Sequence, residues 1–424
     1  MTYQETITYL YGLGRFGIKP GLGRTRSILK ALSNPQDGLR VVHVAGTNGK
    51  GSTASFLASI LAAGGYKTGL FTSPHLIGFT ERIRINGIEI DENDVVSTAG
   101  RVLAAAPPGA TFFEIVTAMA FLYFAENGAN PVVMETGMGG RFDATNVSPK
   151  IMSLITPISL DHCEYLGDSI SGIAREKAGI IEPGKPVIVS SQPEEALAVI
   201  REACEQSRSP LFCFGRQFNA SWRDSGLYYR GQEWELAGLK PGIPGRYQSE
   251  NAAVALRAAE LLAGLGYFLD EKVARSGLER ASWPGRMEML GGSPRILLDG
   301  AHNPAGAAAL AESLADVQRN RLILVVGVMS NKDLDGMVAA LAPLADRVLA
   351  VTPTIARALS SSGLAARWEA AGVTATDAGT VAAGLEIAAR EAGPEDLVLV
   401  CGSLFTVGEA RAILLSGKFE PFRG

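Results

Sequence analysis

The stretch Val44-Ala45-Gly46-Thr47-Asn48-Gly49-Lys50-Gly51-Ser52 decides how this chain folds. Ahead of it, Leu39-Arg40-Val41-Val42-His43-Val44 is an apolar run that reads as a buried strand. Behind it, Thr53 to Leu61 repeats its apolar positions at helical spacing. Strand, glycine-rich turn and helix bring backbone N–H groups and a helix N-terminus to one point, an arrangement that cradles phosphates. Lys50 adds a point charge for the terminal phosphates, and Ser52 a hydroxyl close to a magnesium ion. The usual P-loop pattern is met only in part: Val44 stands at its early glycine, and Gly51 separates Lys50 from Ser52. A lone glycine-rich turn is often only structural; the lysine, the serine and both flanks favour phosphate binding.

At 424 residues the chain is too long for one ordinary core, which points to two domains. Apolar residues at 47% and 49 glycines suit an α/β protein with many tight turns. A formal charge of −4 gives no reason to expect nucleic acid or an anionic membrane as partner. Cys163, Cys204, Cys213 and Cys401 show neither metal-ligand spacing nor a disulfide framework, as expected in reducing cytoplasm. With no signal-peptide pattern and no apolar run of membrane-spanning length, a soluble cytoplasmic protein is expected.

Residues 4–14 read as a short amphipathic helix and Gly17 to Arg26 as a glycine- and basic-rich loop. Lys67 to Phe71 is a second strand, ending at Thr72-Ser73-Pro74-His75-Leu76. Arg82 to Ile90 alternates around Asn86-Gly87, a hairpin signal. A long apolar helix runs from about Ile115 to Glu126. Pro131 to Met134 then delivers Glu135, and Ile151 to Thr156 delivers Asp161 and His162. Three strands thus end near a potential metal ligand, namely Ser73, Glu135 and His162, and strand ends are where an α/β sheet places its chemistry. A further strand spans Val187 to Ser190, residues 211–237 read as a small antiparallel insert, and Asn251 to Leu265 as a helix. Trp283-Pro284-Gly285-Arg286 and Gly291-Gly292-Ser293-Pro294 read as a linker, after which strands at 295–298, 322–326, 348–351 and 397–400 alternate with helices. The expected division is 1–290 and 291–424, the second part mainly parallel.

Each candidate has a plainer reading. Glu135 could cap a turn, but a buried carboxylate needs a partner, and phosphate-bound magnesium is the obvious one. A lone His162 would more often be a core histidine; Asp161 beside it and two similar strand ends favour a ligand. His43, inside the first strand, is read as core, and His75 as loop support. Asp299-Gly300-Ala301-His302-Asn303-Pro304 falls at a strand end before an Ala-rich helix. Capping alone would explain Asn303 but would not require Asp299 and His302 on the same turn, so a second nucleotide-facing edge is expected there. Arg286 could reach the phosphates of a ligand held between the domains.

Gly46 to Ser52, Ser73-Pro74-His75-Leu76, Glu135 with Gly139-Gly140-Arg141, Asp161-His162, Glu176-Lys177-Ala178-Gly179 and Leu298 to Pro304 together resemble the folylpolyglutamate synthase/dihydrofolate synthase family of ATP-dependent Mur ligases. The resemblance runs in order from about Gly21 to Val407. It implies an N-terminal P-loop-type ATPase domain with a mainly parallel sheet, a C-terminal Rossmann-like α/β domain, and a site between them. It also implies that ATP phosphorylates a pteroate or folate carboxylate, and that the amine of L-glutamate attacks the acyl phosphate. Carried over by motif, Thr47, Asn48, Gly49, Lys50, Gly51 and Ser52 hold the ATP phosphates. Ser73, Glu135 and His162 bind Mg2+, with two ions expected, and Lys177 matches a carbamylated lysine. Asn251, Arg286, Asp299 and His302 complete the nucleotide site, with Lys50, Lys177 and His302 as catalytic residues. The pterin side would use Gly21, Leu22, Gly23 and Arg24, then Thr111, Phe112, Phe113 and Glu114, then Phe142, Asp143 and Ala144. Gly23 stands where the family often has Glu. A monomer is expected.

This chemistry suits the residue types. A carboxylate expels oxide only after phosphorylation, and metal ions with Lys50 and Arg286 offset the repulsion between converging anionic oxygens. The runner-up, a muramyl peptide ligase, would want a separate UDP-sugar domain, for which the roughly 40 residues before the P-loop leave no room. A catalytically silent nucleotide-binding regulator is the other alternative; intact candidates at every metal and phosphate position argue against it.

Overall fold

The computed structural model describes residues 1–16 and 21–420. Its first sheet contains β1 (Val41–Ala45), β2 (Gly69–Phe71), β3 (Ile83–Ile85), β4 (Ile88–Glu89), β5 (Val132–Glu135), β6 (Lys150–Ile155), β7 (Val187–Val189) and β8 (Leu211–Cys213). Their order is β4-β3-β2-β5-β1-β6-β7-β8, parallel except where β3 joins β2 and β4. β1 is buried at every position because both its edges and both its faces are covered, which is why its sequence is apolar without alternation. Val44 pairs with Glu135 on one side, Ala45 with Ile155 on the other, and Phe71 with Met134 one strand further out. Parallel pairing in that register brings the carboxyl ends of β1, β2, β5 and β6 to one edge. The helix Lys50–Ala63 leaves that edge and packs its apolar side chains into the main core.

A three-stranded antiparallel sheet follows, β9 (Asn219–Arg223), β10 (Gly226–Arg230) and β11 (Glu235–Leu239). The second sheet holds β12 (Glu288–Leu290), β13 (Arg295–Leu298), β14 (Leu322–Val326), β15 (Arg347–Thr352), β16 (Ala375–Thr380) and β17 (Leu397–Cys401), in the order β12-β13-β17-β14-β15-β16. Only β12 is antiparallel to its neighbour. No helix among the described residues is long and apolar enough to cross a membrane.

Four local expectations change. β8, the start of the expected antiparallel insert, is the parallel edge strand of the first sheet, because the helix Glu194–Ser207 returns the chain to β7. β12 lies inside the expected linker and pairs with β13, so the second sheet begins ahead of residue 291. β16 was not expected, since Ala-Thr-Asp-Ala-Gly-Thr lacks the apolar, β-branched character of the other strands. Of the loop expected at Gly17 to Arg26, positions 17–20 lie outside the described residues, and Gly23–Ala31 is helical.

Candidate active site between the two domains

The phosphate loop is held open by glycine geometry and tied down by side chains. Gly49 has φ +83°, and a Cβ there would sit 2.3 Å from the Asn251 Oδ1. Gly46 has φ +151°, with a Cβ placed 1.8 Å from the Thr156 Oγ1. The Thr47 hydroxyl donates to the Ser159 carbonyl at 3.1 Å. The Lys50 ammonium turns back onto its own loop, donating to the carbonyls of Gly46 at 3.1 Å and Thr47 at 2.9 Å. Ser52 is buried, its hydroxyl accepting from the Gln248 amide at 3.3 Å. Asn251 accepts from the Thr53 hydroxyl at 3.4 Å, so the helix Gln248–Gly264 backs the loop.

Ser73, Glu135 and Arg286 line one open cleft with Gly51 and, from the second domain, Leu404. Glu135 is 4% exposed, and its Oε2 accepts from the Ser73 N–H at 3.2 Å. Burial pushes its carboxyl up to about 7, against the opposing pull of Lys50, the Ser73 bond and Arg286. A buried carboxylate with so little compensation fits a bound cation. His162 sits in left-handed backbone at φ 52° and is exposed. Desolvation of its inner side, then the Lys332 and Lys50 charges, pushes it down to about 4 despite the Asp161 carboxylate. Lys177 is buried, and its ammonium donates to the Gly46 carbonyl at 2.6 Å. Burial, then the nearby Lys50 charge, pushes it down to about 7. Among the described residues no group of three or more His, Cys, Asp or Glu side chains is gathered to hold a metal. The expected ligand set has one carboxylate and one imidazole; its other members are a hydroxyl and a lysine.

The second domain reaches the loop through Asn303 rather than through Asp299. Asn48 and Asn303 exchange two amide hydrogen bonds, at 3.2 and 3.0 Å. The Asn303 Oδ1 also caps the helix Pro304–Leu314 by accepting from the Gly306 N–H at 2.8 Å. Asp299 accepts from the Tyr247 hydroxyl at 2.7 Å and from the backbone N–H groups of Met287 and Ala301, both at 2.9 Å. It therefore braces the turn that presents His302, whose Nε2 lies 3.7 Å from the Asp161 Oδ2. Lys332, which the sequence reading missed, meets Asp161 at 2.5 Å. Burial alone would raise Asp161, but the nearby His302 and His162 rings and the Lys332 ammonium hold it well below the usual carboxylate range. A lysine just past the end of β14 was the available signal for Lys332, weak beside the acidic turn at Asp299.

On the expected pterin side, several polar groups are already engaged. Thr111 and Glu114 form a capping box on the helix Phe112–Glu126, and Glu114 also takes the Arg24 guanidinium at 2.9 and 3.0 Å. Asp143 accepts from the backbone N–H groups of Met138 at 2.9 Å and Thr145 at 3.0 Å. These three have structural tasks that the substrate-binding expectation did not foresee. Phe112 and Ala144 are buried, Phe113 packs on Phe71, and Phe142 is exposed. Gly21 has φ +125°, Leu22 precedes the helix, and Gly23 and Arg24 form its first turn.

The two parts match the Mur ligase middle domain over residues 44–259 and the Mur ligase glutamate ligase domain over residues 285–404, which makes this a Mur-type ligase. A dihydrofolate synthase/folylpolyglutamate synthase of Bacillus subtilis is 36% identical over 426 residues, covering 96% of this chain and 98% of that one. A probable bifunctional folylpolyglutamate synthase/dihydropteroate synthase of Halobacterium salinarum is 40% identical over 97% of this chain, which spans about half (51%) of that protein's length. The structure of Escherichia coli FolC in complex with DHPP and ADP superposes with a TM-score of 0.90 at 32% identity, over 98% of each chain. The chain belongs to the folylpolyglutamate synthase/dihydrofolate synthase family.

Proposed function

We propose that this protein is an ATP-dependent carboxylate–amine ligase that joins L-glutamate to dihydropteroate, to (poly)glutamylated folate, or to both. The observation that carries this is the cleft where the first turn of the phosphate-loop helix, Ser73, Glu135 and Arg286 meet a wall from the second domain. An acceptor carboxylate oxygen attacks the γ-phosphorus of ATP, and ADP leaves as the bridging P–O bond breaks. The glutamate nitrogen then attacks the acyl carbon, the C–O bond to phosphate breaks, and the amine gives up a proton. Phosphate and an amide result.

The loop from Thr47 to Ser52 offers N–H groups to the nucleotide, Lys50 and Arg286 offset charge on the transferring phosphoryl group, and Asn251 and Asp299 brace the surroundings. Ser73, Glu135, His162 and Lys177 are the residues that would hold magnesium, two ions being proposed, which when bound supplies Lewis-acid stabilisation of phosphoryl oxygens. His302, 3.7 Å from Asp161, is proposed to handle the amine proton. Gly21 to Arg24, Phe113 and Phe142 are proposed as the pterin side. The domains are taken to meet at about residue 285, where the glutamate ligase match begins. The protein is further proposed to act as a cytoplasmic monomer on small molecules, with neither nucleic acid nor membrane as partner.

Lys177 is proposed to be carbamylated. Its burial favours the neutral amine, which can form an N–C bond to carbon dioxide and release a proton, turning a repelled cation into an anionic ligand. Lys177→Ala is expected to be nearly inactive and partly rescued by short carboxylates, with a carbon-13 carbamate signal from labelled bicarbonate in the unmutated protein alone. The same signal in Lys177→Ala, or undiminished activity, would refute it. The function itself is tested by ADP release, expected only with both a pterin-linked carboxylate and L-glutamate, with dihydropteroate and a reduced folate compared side by side. ADP release indifferent to either substrate overturns the reading.

A further inference from the structure

Arg84 is a cleft residue that neither the phosphate-loop motif nor the strand-end residues account for. It lies on β3, opposite Leu70 of β2 and Glu89 of β4. Its side chain is 12% exposed and lines the same cleft as Ser73, Glu135 and Arg286. The guanidinium carbon stands 5.4 Å over the ring of Trp283, the residue that opens the connection to the second domain. Trp283 in turn covers the start of the phosphate-loop helix, since a Cβ on Gly51 would lie 2.9 Å from the indole Cζ2. The indole thus stands against the guanidinium, within cation–π range, between the phosphate loop and the strand-end residues.

The donors of Arg84 are only partly used. Nη2 reaches the Glu89 carboxylate at 3.3 Å, a long contact to a side chain that is 43% exposed and already accepts from the Thr80 hydroxyl at 2.6 Å. The Nε of Arg84 is buried and has no hydrogen-bond partner. A buried N–H without an acceptor costs free energy unless something fills the position. A planar guanidinium suits a carboxylate, which it can grip with two parallel N–H groups. Two substrates carry carboxylates, and it is the acceptor that must bring one beside the phosphate loop to be phosphorylated; Arg84 stands on that side, on the first sheet with Gly51, Ser73 and Glu135.

We propose that Arg84, oriented by Trp283, binds a carboxylate of the pterin-side acceptor and sets its position for phosphorylation. This rests on the ligase reading above. Two carboxylates share that chemistry, the reacting one and, in a glutamylated folate, the neighbouring α-carboxylate.

The test is steady-state kinetics of Arg84→Gln, Arg84→Lys and Glu89→Gln with dihydropteroate and with a reduced folate, after thermal unfolding has shown each variant folded. For Arg84→Gln the acceptor KM is expected to rise roughly 10- to 100-fold, the scale of a charged hydrogen bond, with KM for ATP and glutamate within about twofold. Arg84→Lys should recover part of the loss, and Glu89→Gln should leave acceptor KM unchanged. A rise with both acceptors assigns the reacting carboxylate; a rise with the folate alone assigns the α-carboxylate. Unchanged acceptor KM, a rise in KM for ATP or glutamate instead, or the same defect in Glu89→Gln would overturn the proposal, the last by making Arg84 a support for the hairpin. Should the unmutated protein ligate glutamate to neither acceptor, the ligase reading itself fails first, which separates the two failures.

Discussion

Lys50 has two tasks available to one charge. Its ammonium holds the carbonyls of Gly46 and Thr47, so it shapes the loop, and it stands close enough to Glu135 and Lys177 to affect the ionisation of both. On the proposed mechanism Lys50→Ala removes a preorganised charge at the phosphoryl group, and losses on the order of 100-fold or more in turnover follow from deleting one such stabiliser. We expect ADP release to fall by that much while thermal unfolding moves little, because the helix behind the loop is packed by Phe56, Leu57 and Ile60. Turnover within a few-fold of the unmutated protein would remove Lys50 from the mechanism. Residues of this kind were legible because loop, charge and flanks are contiguous. Thr111 and Glu114 show the opposite case: the T-x-x-E spacing before an apolar run is a capping signal that the substrate-side reading did not name. That Asp143 folds onto its own turn was not legible, because its donors, the N–H groups of Met138 and Thr145, are brought to it only by the turn's conformation.

At the scale of the element, β1 explains both the position of the site and an acid sensitivity. His43 lies at its centre, fully buried, with Nε2 2.8 Å from the Thr145 hydroxyl and Nδ1 without a partner. Burial, with Lys150 nearby, holds its pKa well below the ordinary 6.5. Below that pH the unfolded chain binds a proton that the folded chain refuses, so the stability contributed by neutral His43 is complete above about 6.5 and is lost as pH falls. The slope is at most about 1.4 kcal/mol per pH unit for one group. Asp143, raised by burial, acts with the opposite sign and is common to both proteins in a comparison of the unmutated chain with His43→Gln. Urea midpoints at pH 7 and pH 5 should therefore fall further in the unmutated chain; equal falls would show that His43 is not the group responsible. The element itself was plain from its unbroken apolar run. β8 and β16 were not: one is three residues long, the other carries Asp and Gly, and each is set by the neighbour it pairs with rather than by its own pattern.

Closure of the two domains depends on pairs that no local pattern could reveal. Asn48 meets Asn303 across 255 positions, and Lys332 meets Asp161 across 171. The sequence showed that each strand end carried polar groups; which of them face one another follows only from how the two sheets dock. The Asp161–Lys332 pair is the more consequential, since the side chains are 8% and 10% exposed. Removing one partner of a buried ion pair strands the other charge, a cost on the order of 3 kcal/mol. Neither side chain belongs to the core of its own sheet, so that cost falls on docking of the domains rather than on folding of either. In Lys332→Met the stranded Asp161 regains water when the cleft opens, and the open form gains population. Small-angle scattering should then report a larger radius of gyration, turnover should fall, and the folding of each domain should persist by circular dichroism. Adding Asp161→Asn removes the stranded charge and should bring the radius back toward its original value, though turnover, which also needs His302 on Asp161, should stay low. A radius and a turnover both unchanged in Lys332→Met would mean that this pair does not hold the cleft closed.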